Sequence, residues 1–117
     1  MKDTGAKFDV LGSEWTLFVG NEKEFPLLKE IDGYADKTGR FIVVSEKSSD
    51  CDLADFAIYQ RKCIRHEIIH AYLFESGLHE NIYHGSSPAG HPEQMVDWFA
   101  VQFPKILKTY EKLGVVG

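Results

Sequence analysis

The segment His66-Glu67-Ile68-Ile69-His70 combines residue types and spacing that suit metal chemistry. Residues four apart on an α-helix project from the same face, so the two histidines can bind one metal ion together. Glu67 follows the first histidine directly and can reach a water at the metal without being a ligand, which is the position of a general base. In the alternative interpretation, both imidazoles are neutral and bonded to carbonyl groups, and the glutamate faces solvent.

A catalytic zinc ion also needs a third protein ligand and an open position. One familiar spacing requires a glycine three residues and a histidine six residues beyond His70, but Leu73 and Ser76 stand there. The remaining candidates all lie further along the chain: His79, His84, His91, Glu93 and Asp97.

Glu93 and Asp97 are the preferred pair, because residues four apart share one face of a helix. Glu93 would complete the ligand set of the metal. Asp97 would accept a hydrogen bond from the non-ligating nitrogen of a histidine and so fix the orientation of that ring. The alternative is a glutamate favoured only by the helix dipole, followed by a solvated aspartate.

The first half of the chain has the short apolar segments of a β-sheet. Strands are predicted at residues 14–19 and 40–45, with a weaker one at 28–32. Residues 33–39 contain Asp, Thr and Gly, which suit a hairpin loop.

The second half is predicted to be helical. N-cap chemistry at residues 48–50 and a stop at Gly77 bound one long helix over about 52–76. A loop over 78–92 leads to a last helix, which Pro104 should kink or split. Helical spacing predicts two inward-facing stripes: Phe56, Tyr59, Cys63, His66 and His70 in the first helix, and Val96, Phe99, Phe103, Leu107 and Tyr110 in the second. Both tryptophans, all eight phenylalanines and Cys63 are predicted core residues without a cofactor role.

The composition limits the class of protein. With 117 residues, 44% hydrophobic and 26% charged, the chain is predicted to form one domain over residues 1–117. A net charge of −5 argues against a nucleic-acid partner, which needs clustered lysine and arginine. Two cysteines, no signal-peptide core and no apolar run of about 20 residues predict a cytoplasmic protein without a membrane partner.

Two segments together, residues 65–78 and 93–102, resemble a family of small zincin-like proteins encoded by phages and prophages of Gram-positive bacteria. The second segment is also similar to the "Glu…Asn/Asp-x-Phe-Ala" helix of ImmA/IrrE-type metallopeptidases. His-Glu-x-x-His followed by Glu-x-x-x-Asp is the gluzincin arrangement. The resemblance implies that His66, His70 and Glu93 bind zinc, that Asp97 orients a ligand, and that Glu67 is the catalytic residue. It also implies a location in the cytoplasm of a bacterial or phage-infected cell.

Residues 66–74 are also similar to the SprT/Spartan proteases, whose third zinc ligand is a downstream histidine in a His-Gly context. His84-Gly85 and Gly90-His91 can each imitate that context, so both histidines remain alternative metal ligands. The acidic composition, the absence of a basic tract and the absence of zinc-finger cysteines count against this second resemblance.

These observations predict an α+β, zincin-like fold, in which a small antiparallel sheet packs on a long active-site helix and a second, ligand-bearing helix. The expected activity is zinc-dependent hydrolysis of peptide bonds in a protein or peptide substrate, which would lie along a sheet edge at residues 40–45. Expected oxyanion donors are Tyr83 and His79, with His84 and His91 as further choices. The alternative is a catalytically silent, zinc-containing binding or regulatory module, and the oligomeric state stays open.

Overall fold

A computed structural model describes residues 5–49, 51–78 and 93–117, except for the side chains of residues 93, 94, 96, 97 and 100. Its regular elements are β1 (Ala6–Val10), β2 (Ser13–Gly20), a 3-10 helix (Pro26–Lys29), β3 (Gly33–Asp36), β4 (Phe41–Ser45), α1 (Phe56–Ser76) and α2 (Glu93–Leu113). Within these described ranges, none of the helices has both the length and the hydrophobicity needed to cross a membrane.

The four strands form one sheet in the order β1-β2-β4-β3. β1 pairs with β2, and β3 with β4, in antiparallel fashion, whereas β2 and β4 run parallel. The α+β class is confirmed, but the predicted antiparallel sheet is wrong because the sheet is mixed. β3 forms the outer edge of the sheet. β4 follows β3 in the sequence, lies between β3 and β2, and runs parallel to β2.

Two of the predicted strands, at 14–19 and 40–45, are confirmed as β2 and β4. The predicted strand at 28–32 is wrong, because Pro26 opens a short 3-10 helix whose residues are not buried. The hairpin loop predicted at 33–39 is too long: residues 33–36 form β3, and the turn follows them. The Asp36 carboxylate holds that turn by accepting hydrogen bonds from the backbone of Thr38 and Gly39, both at 2.9 Å. β1 was not predicted.

α1 ends where the sequence indicates, because Gly77 adopts the left-handed conformation with φ 82°. Its start is later than predicted. The N-cap is Asp55, whose side chain accepts a hydrogen bond from the Ile58 backbone N–H at 3.2 Å. α2 is continuous through Pro104, so of the predicted kink or split the split is wrong, and the kink stays a prediction.

The hydrophobic core lies between one face of the sheet and the two helices, and its buried members include Phe8, Val10, Trp15, Ile42, Val44, Ile64, Ile68, Tyr72, Trp98, Ile106 and Tyr110. The helices run antiparallel, since Trp98 donates from Nε1 to Ser76 Oγ at 2.8 Å and Tyr110 donates to the Arg65 carbonyl at 3.3 Å. Both tryptophans are confirmed as core residues.

The inward stripe predicted for α2 is only partly right. Phe99 and Phe103 are 38% and 52% exposed, so not all phenylalanines are core residues. The buried face of α2 is formed by Trp98, Ile106 and Tyr110, because the helix is rotated by about one residue from the aromatic stripe.

Candidate metal centre

The two histidines of α1 lie on one face of the helix, as their spacing predicts. The Nε2 atoms of His66 and His70 are 3.2 Å apart, and the potential ligand atoms of His66, Glu67 and His70 all lie within 4.8 Å of one another. Two nitrogens that are each about 2.05 Å from a tetrahedral zinc ion are separated by roughly 3.3 Å. The histidine pair therefore fits one edge of a zinc coordination tetrahedron.

The histidine pair lies near the surface of the protein. The two rings meet edge to face, with centroids 4.9 Å apart, and His70 stacks on Phe74. His66 is exposed and His70 is half-buried. The separation of the two nitrogens also allows a hydrogen bond between a donor and an acceptor imidazole, which is the state expected without a metal.

Glu67 points into the protein, so the alternative of a solvent-facing glutamate is wrong. Its side chain is 6% exposed, and burial raises the pKa of its carboxyl to about 7. In the described part of the chain no group donates a hydrogen bond to this carboxylate. A carboxyl with these surroundings can exchange a proton near neutral pH.

Gly33, at the start of β3, lets the edge strand approach this glutamate. A Cβ atom at this position would lie 3.2 Å from Glu67 Oε2 and 3.0 Å from the Val43 carbonyl oxygen. The sequence analysis missed Gly33, although a glycine at a strand is the usual signal of a close backbone approach.

The inward orientation predicted for the histidine stripe is wrong. Phe56, Tyr59 and Cys63 are only half-buried, and the buried apolar face of α1 is formed by Ile64, Ile68, Ala71 and Tyr72. Two members of the stripe, Cys63 and His66, instead line a cleft, because the core contacts of α1 are offset by about one residue. The cleft beside the histidines has a volume of about 200 Å³, and the residues that line it are Asp32, Gly33, Lys62, Cys63, His66 and Glu67.

The edge of the sheet at this cleft is β3 and not the predicted segment 40–45. β4 is paired on both sides, with β2 and with β3, so a substrate cannot add to it as a further strand. β3 is the last strand of the sheet and lies against Glu67.

The remaining predicted site residues are not described by the structure. His79, Tyr83, His84 and His91 lie outside the described residues. Glu93 and Asp97 belong to the start of α2, but their side chains are not among those described. The third metal ligand, the supporting aspartate and the oxyanion donor therefore stay predictions.

Comparisons with protein-family models, with curated proteins and with solved structures found no match. The resemblance to phage-encoded zincin-like proteins stays a prediction for the same reason. What the site can do follows from the geometry of His66, Glu67 and His70.

Proposed function

We propose that this protein is a zinc-dependent metallopeptidase. The observation that carries the proposal is the histidine pair with its Nε2 atoms 3.2 Å apart, beside a buried glutamate that has no hydrogen-bond donor in the described part of the chain. A zinc site with few protein ligands and an adjacent general base is the machinery of metal-assisted hydrolysis.

Each residue has a definable task in such a site. His66 and His70 would hold the metal through their Nε2 atoms. When bound, zinc supplies Lewis-acid chemistry that lowers the pKa of water and polarises a carbonyl oxygen. Glu67 would take a proton from the attacking water and deliver it to the nitrogen of the leaving amine. Its carboxyl has no hydrogen-bond donor in the described part of the chain, and burial raises its pKa to about 7 in the metal-free protein, so it is available as a proton acceptor.

The edge of β3 is the proposed binding position for an extended peptide. A peptide that adds to this strand would form main-chain hydrogen bonds, as in other cases of strand addition. Gly33 lies close to Glu67 at the start of β3. The substrate peptide bond that pairs beside Gly33 would therefore lie next to the general base.

Glu93 is the proposed third ligand, with Asp97 as the residue that orients a histidine. The resemblance to gluzincins supports this choice, as it supports an origin in phages or prophages and a cytoplasmic location. Loss of zinc in His91→Ala or His84→Ala, with retention in Glu93→Ala, would instead favour the SprT-like alternative.

Metal analysis combined with a cleavage assay tests the proposal. Protein purified without added zinc should contain about one zinc per chain by elemental mass spectrometry, and His66→Ala and His70→Ala should lose it. Glu67→Gln should retain zinc but lose cleavage of peptides. Absence of zinc from the parent protein, even after zinc is offered, would contradict the proposal.

A second candidate function is a zinc-containing binding module without turnover. The small volume of the cleft, about 200 Å³, favours it because few substrate side chains can be enclosed there. In this case Glu67→Gln and the parent protein should bind zinc equally, and neither should cleave any peptide.

A further inference from the structure

A second, larger cavity adjoins the candidate metal centre. It has a volume of about 350 Å³ and shares Asp32 and Cys63 with the cleft beside the histidines. From Cys63 it follows α1 back to Phe56, a distance of about 10 Å along the helix axis. The two cavities are therefore neighbours, and the larger one lies further from Glu67 along the helix.

The walls of the larger cavity differ in character. Leu53, Phe56 and the ring of Tyr59 supply apolar surface, while Glu46 and Asp52 supply carboxylates. Asp32 accepts a hydrogen bond from the Tyr59 hydroxyl at the boundary between the two cavities. Among the described residues that line this cavity there is no lysine or arginine.

Neither Glu46 nor Asp32 is saturated by its observed partner. Among the described residues, Glu46 accepts one side-chain hydrogen bond, from Asn21 Nδ2 at 2.9 Å, and a carboxylate can accept about four. Lys62 lines the smaller cleft and not the larger cavity, and its Nζ lies 5.7 Å from the centre of the Tyr59 ring. Of the three acidic residues, Glu46 and Asp52 line only the larger cavity, whereas Asp32 also lines the cleft beside the metal centre.

This combination fits a long side chain with an apolar stem and a cationic head. Arginine and lysine both have such stems, which lie readily on apolar surface while the charged group stays among polar partners. The volume is at the lower end of the range of roughly 300–1,000 Å³ found for small-molecule sites, and so suits one large side chain.

We propose that this cavity is a specificity subsite, which accepts an arginine or lysine side chain of the substrate close to the cleaved bond. The inference rests on the proposed peptidase function. A peptide on the edge of β3 would pass Gly33 beside Glu67, and the preceding residue, Asp32, lines the larger cavity. The stem of the side chain would pack on Phe56, and its head would pair with Glu46 and Asp52.

Cleavage of a mixed-sequence peptide library by the zinc-loaded protein provides the first test. Arginine or lysine should be enriched at one fixed position relative to the cleaved bond. The double variant Glu46→Gln/Asp52→Asn should reduce kcat/KM for an arginine peptide by about tenfold or more, because two charge-assisted contacts are lost. Cleavage of the same peptide with norleucine at that position should stay within about twofold.

Two controls separate this effect from changes in net charge and in folding. Glu14→Gln/Glu111→Gln removes the same charge from two exposed positions outside the cavity and should leave the preference intact. Asp52→Asn alone leaves the bond between Glu46 and Asn21 in place and should reduce the arginine preference in the same direction. Cleavage without a cationic preference, or a preference that the double variant retains, would overturn the subsite and leave the peptidase proposal standing.

Direct binding tests the cavity independently of turnover. The Glu67→Gln protein is titrated with n-butylguanidinium and with its neutral analogue n-butylurea, and binding is followed by NMR. The cation should bind, shift the signals of Phe56 and Tyr59, and bind about tenfold more weakly to a protein that also carries Glu46→Gln/Asp52→Asn. Equal binding of the two compounds, or no binding of the cation, would overturn the subsite even in a protein that cleaves no peptide.

Discussion

Two glutamates on α1, Glu67 and Glu75, have opposite surroundings. Glu75 accepts hydrogen bonds from Trp15 Nε1 at 2.8 Å, from Arg40 Nε at 2.7 Å and from Ser13 Oγ at 3.3 Å. Burial acts to raise the pKa of Glu75, but the bonds from Arg40 and Trp15 outweigh it, so the pKa is lowered. Glu67 is more deeply buried and has no such donors within the described ranges, and its pKa is raised to about 7.

The difference separates a structural carboxylate from one that is suited to chemistry. Glu75 ties the end of α1 to β2 and to the turn before β4 through a charged network of three hydrogen bonds. Glu67 retains its full capacity to accept a proton, next to two potential metal ligands. A perturbed carboxyl in a cleft is a functional-site signal, whereas a saturated one stabilises the fold.

The largest expected difference between the two glutamates is in catalytic rate, and it is tested by replacing each of them with glutamine. Glu67→Gln should lower kcat for peptide cleavage by about 10²–10⁴-fold, because the general base is lost. Glu75→Gln should change kcat by less than about threefold, because Glu75 lies in a network that does not include the histidines. Steady-state kinetics of the zinc-loaded proteins measures both, and an equal loss in the two variants would remove the distinction.

The stability of the metal-free protein should depend on pH through Glu67. The folded protein holds this proton more tightly than the unfolded chain, so stability is fully present below pH 4.5 and declines as the pH rises to about 7. Relative to Glu67→Gln, the free energy of unfolding should fall by about 2 kcal/mol across this interval. Urea denaturation in the presence of a chelator measures it, and parallel pH profiles for the two proteins would contradict the burial argument.

Glu75→Gln should instead reduce stability without this pH profile. Loss of the charge-assisted bonds from Trp15 and Arg40 should lower the free energy of unfolding by about 1–2 kcal/mol, a value kept small because Arg40 is 51% exposed. The exposed Glu14→Gln is the matched control and should change stability by less than about 0.5 kcal/mol. Urea denaturation at pH 7 gives both numbers, and a neutral Glu75→Gln would show that the network is not an anchor.

A modest effect, similar in size to that of Glu75→Gln, is expected from Gly33→Ala, which probes the contact between β3 and Glu67. The added Cβ would meet the Val43 carbonyl at 3.0 Å and Glu67 Oε2 at 3.2 Å, so the strand or the Glu67 carboxylate must shift. Peptide cleavage should fall by about tenfold, or roughly 1.4 kcal/mol, because a small misplacement of the base is costly. Gly39→Ala is the control, since its nearest neighbour is the Phe41 ring at 3.3 Å, and unchanged activity in both variants would argue against the close approach.

Local sequence signals predicted the elements that depend on local interactions. The spacing of His66 and His70 predicted a shared face, and Gly77 predicted the end of α1. The apolar, β-branched segment at residues 40–45 predicted β4. In each case the determining residues lie within one helical turn or one strand, where periodicity and capping are informative.

Features that depend on distant pairing could not be predicted in this way. The parallel pairing of β2 with β4 and the approach of Gly33 to Glu67 join segments that are far apart in the sequence. The larger cavity likewise combines Asp32, the end of β4 and the first turns of α1. The raised pKa of Glu67 follows from that long-range burial, so no property of the five-residue motif alone could reveal it.

The central claim is that His66 and His70 hold a zinc ion beside Glu67. Zinc K-edge X-ray absorption on protein that carries about one zinc per chain tests it most directly. The spectrum should show two imidazole nitrogens at about 2.0–2.1 Å with oxygen as the remaining ligand type, and His70→Ala should bind no zinc. A protein that takes up no zinc, or a zinc ion with a sulfur ligand at about 2.3 Å, which would implicate a cysteine such as Cys63, would contradict the account.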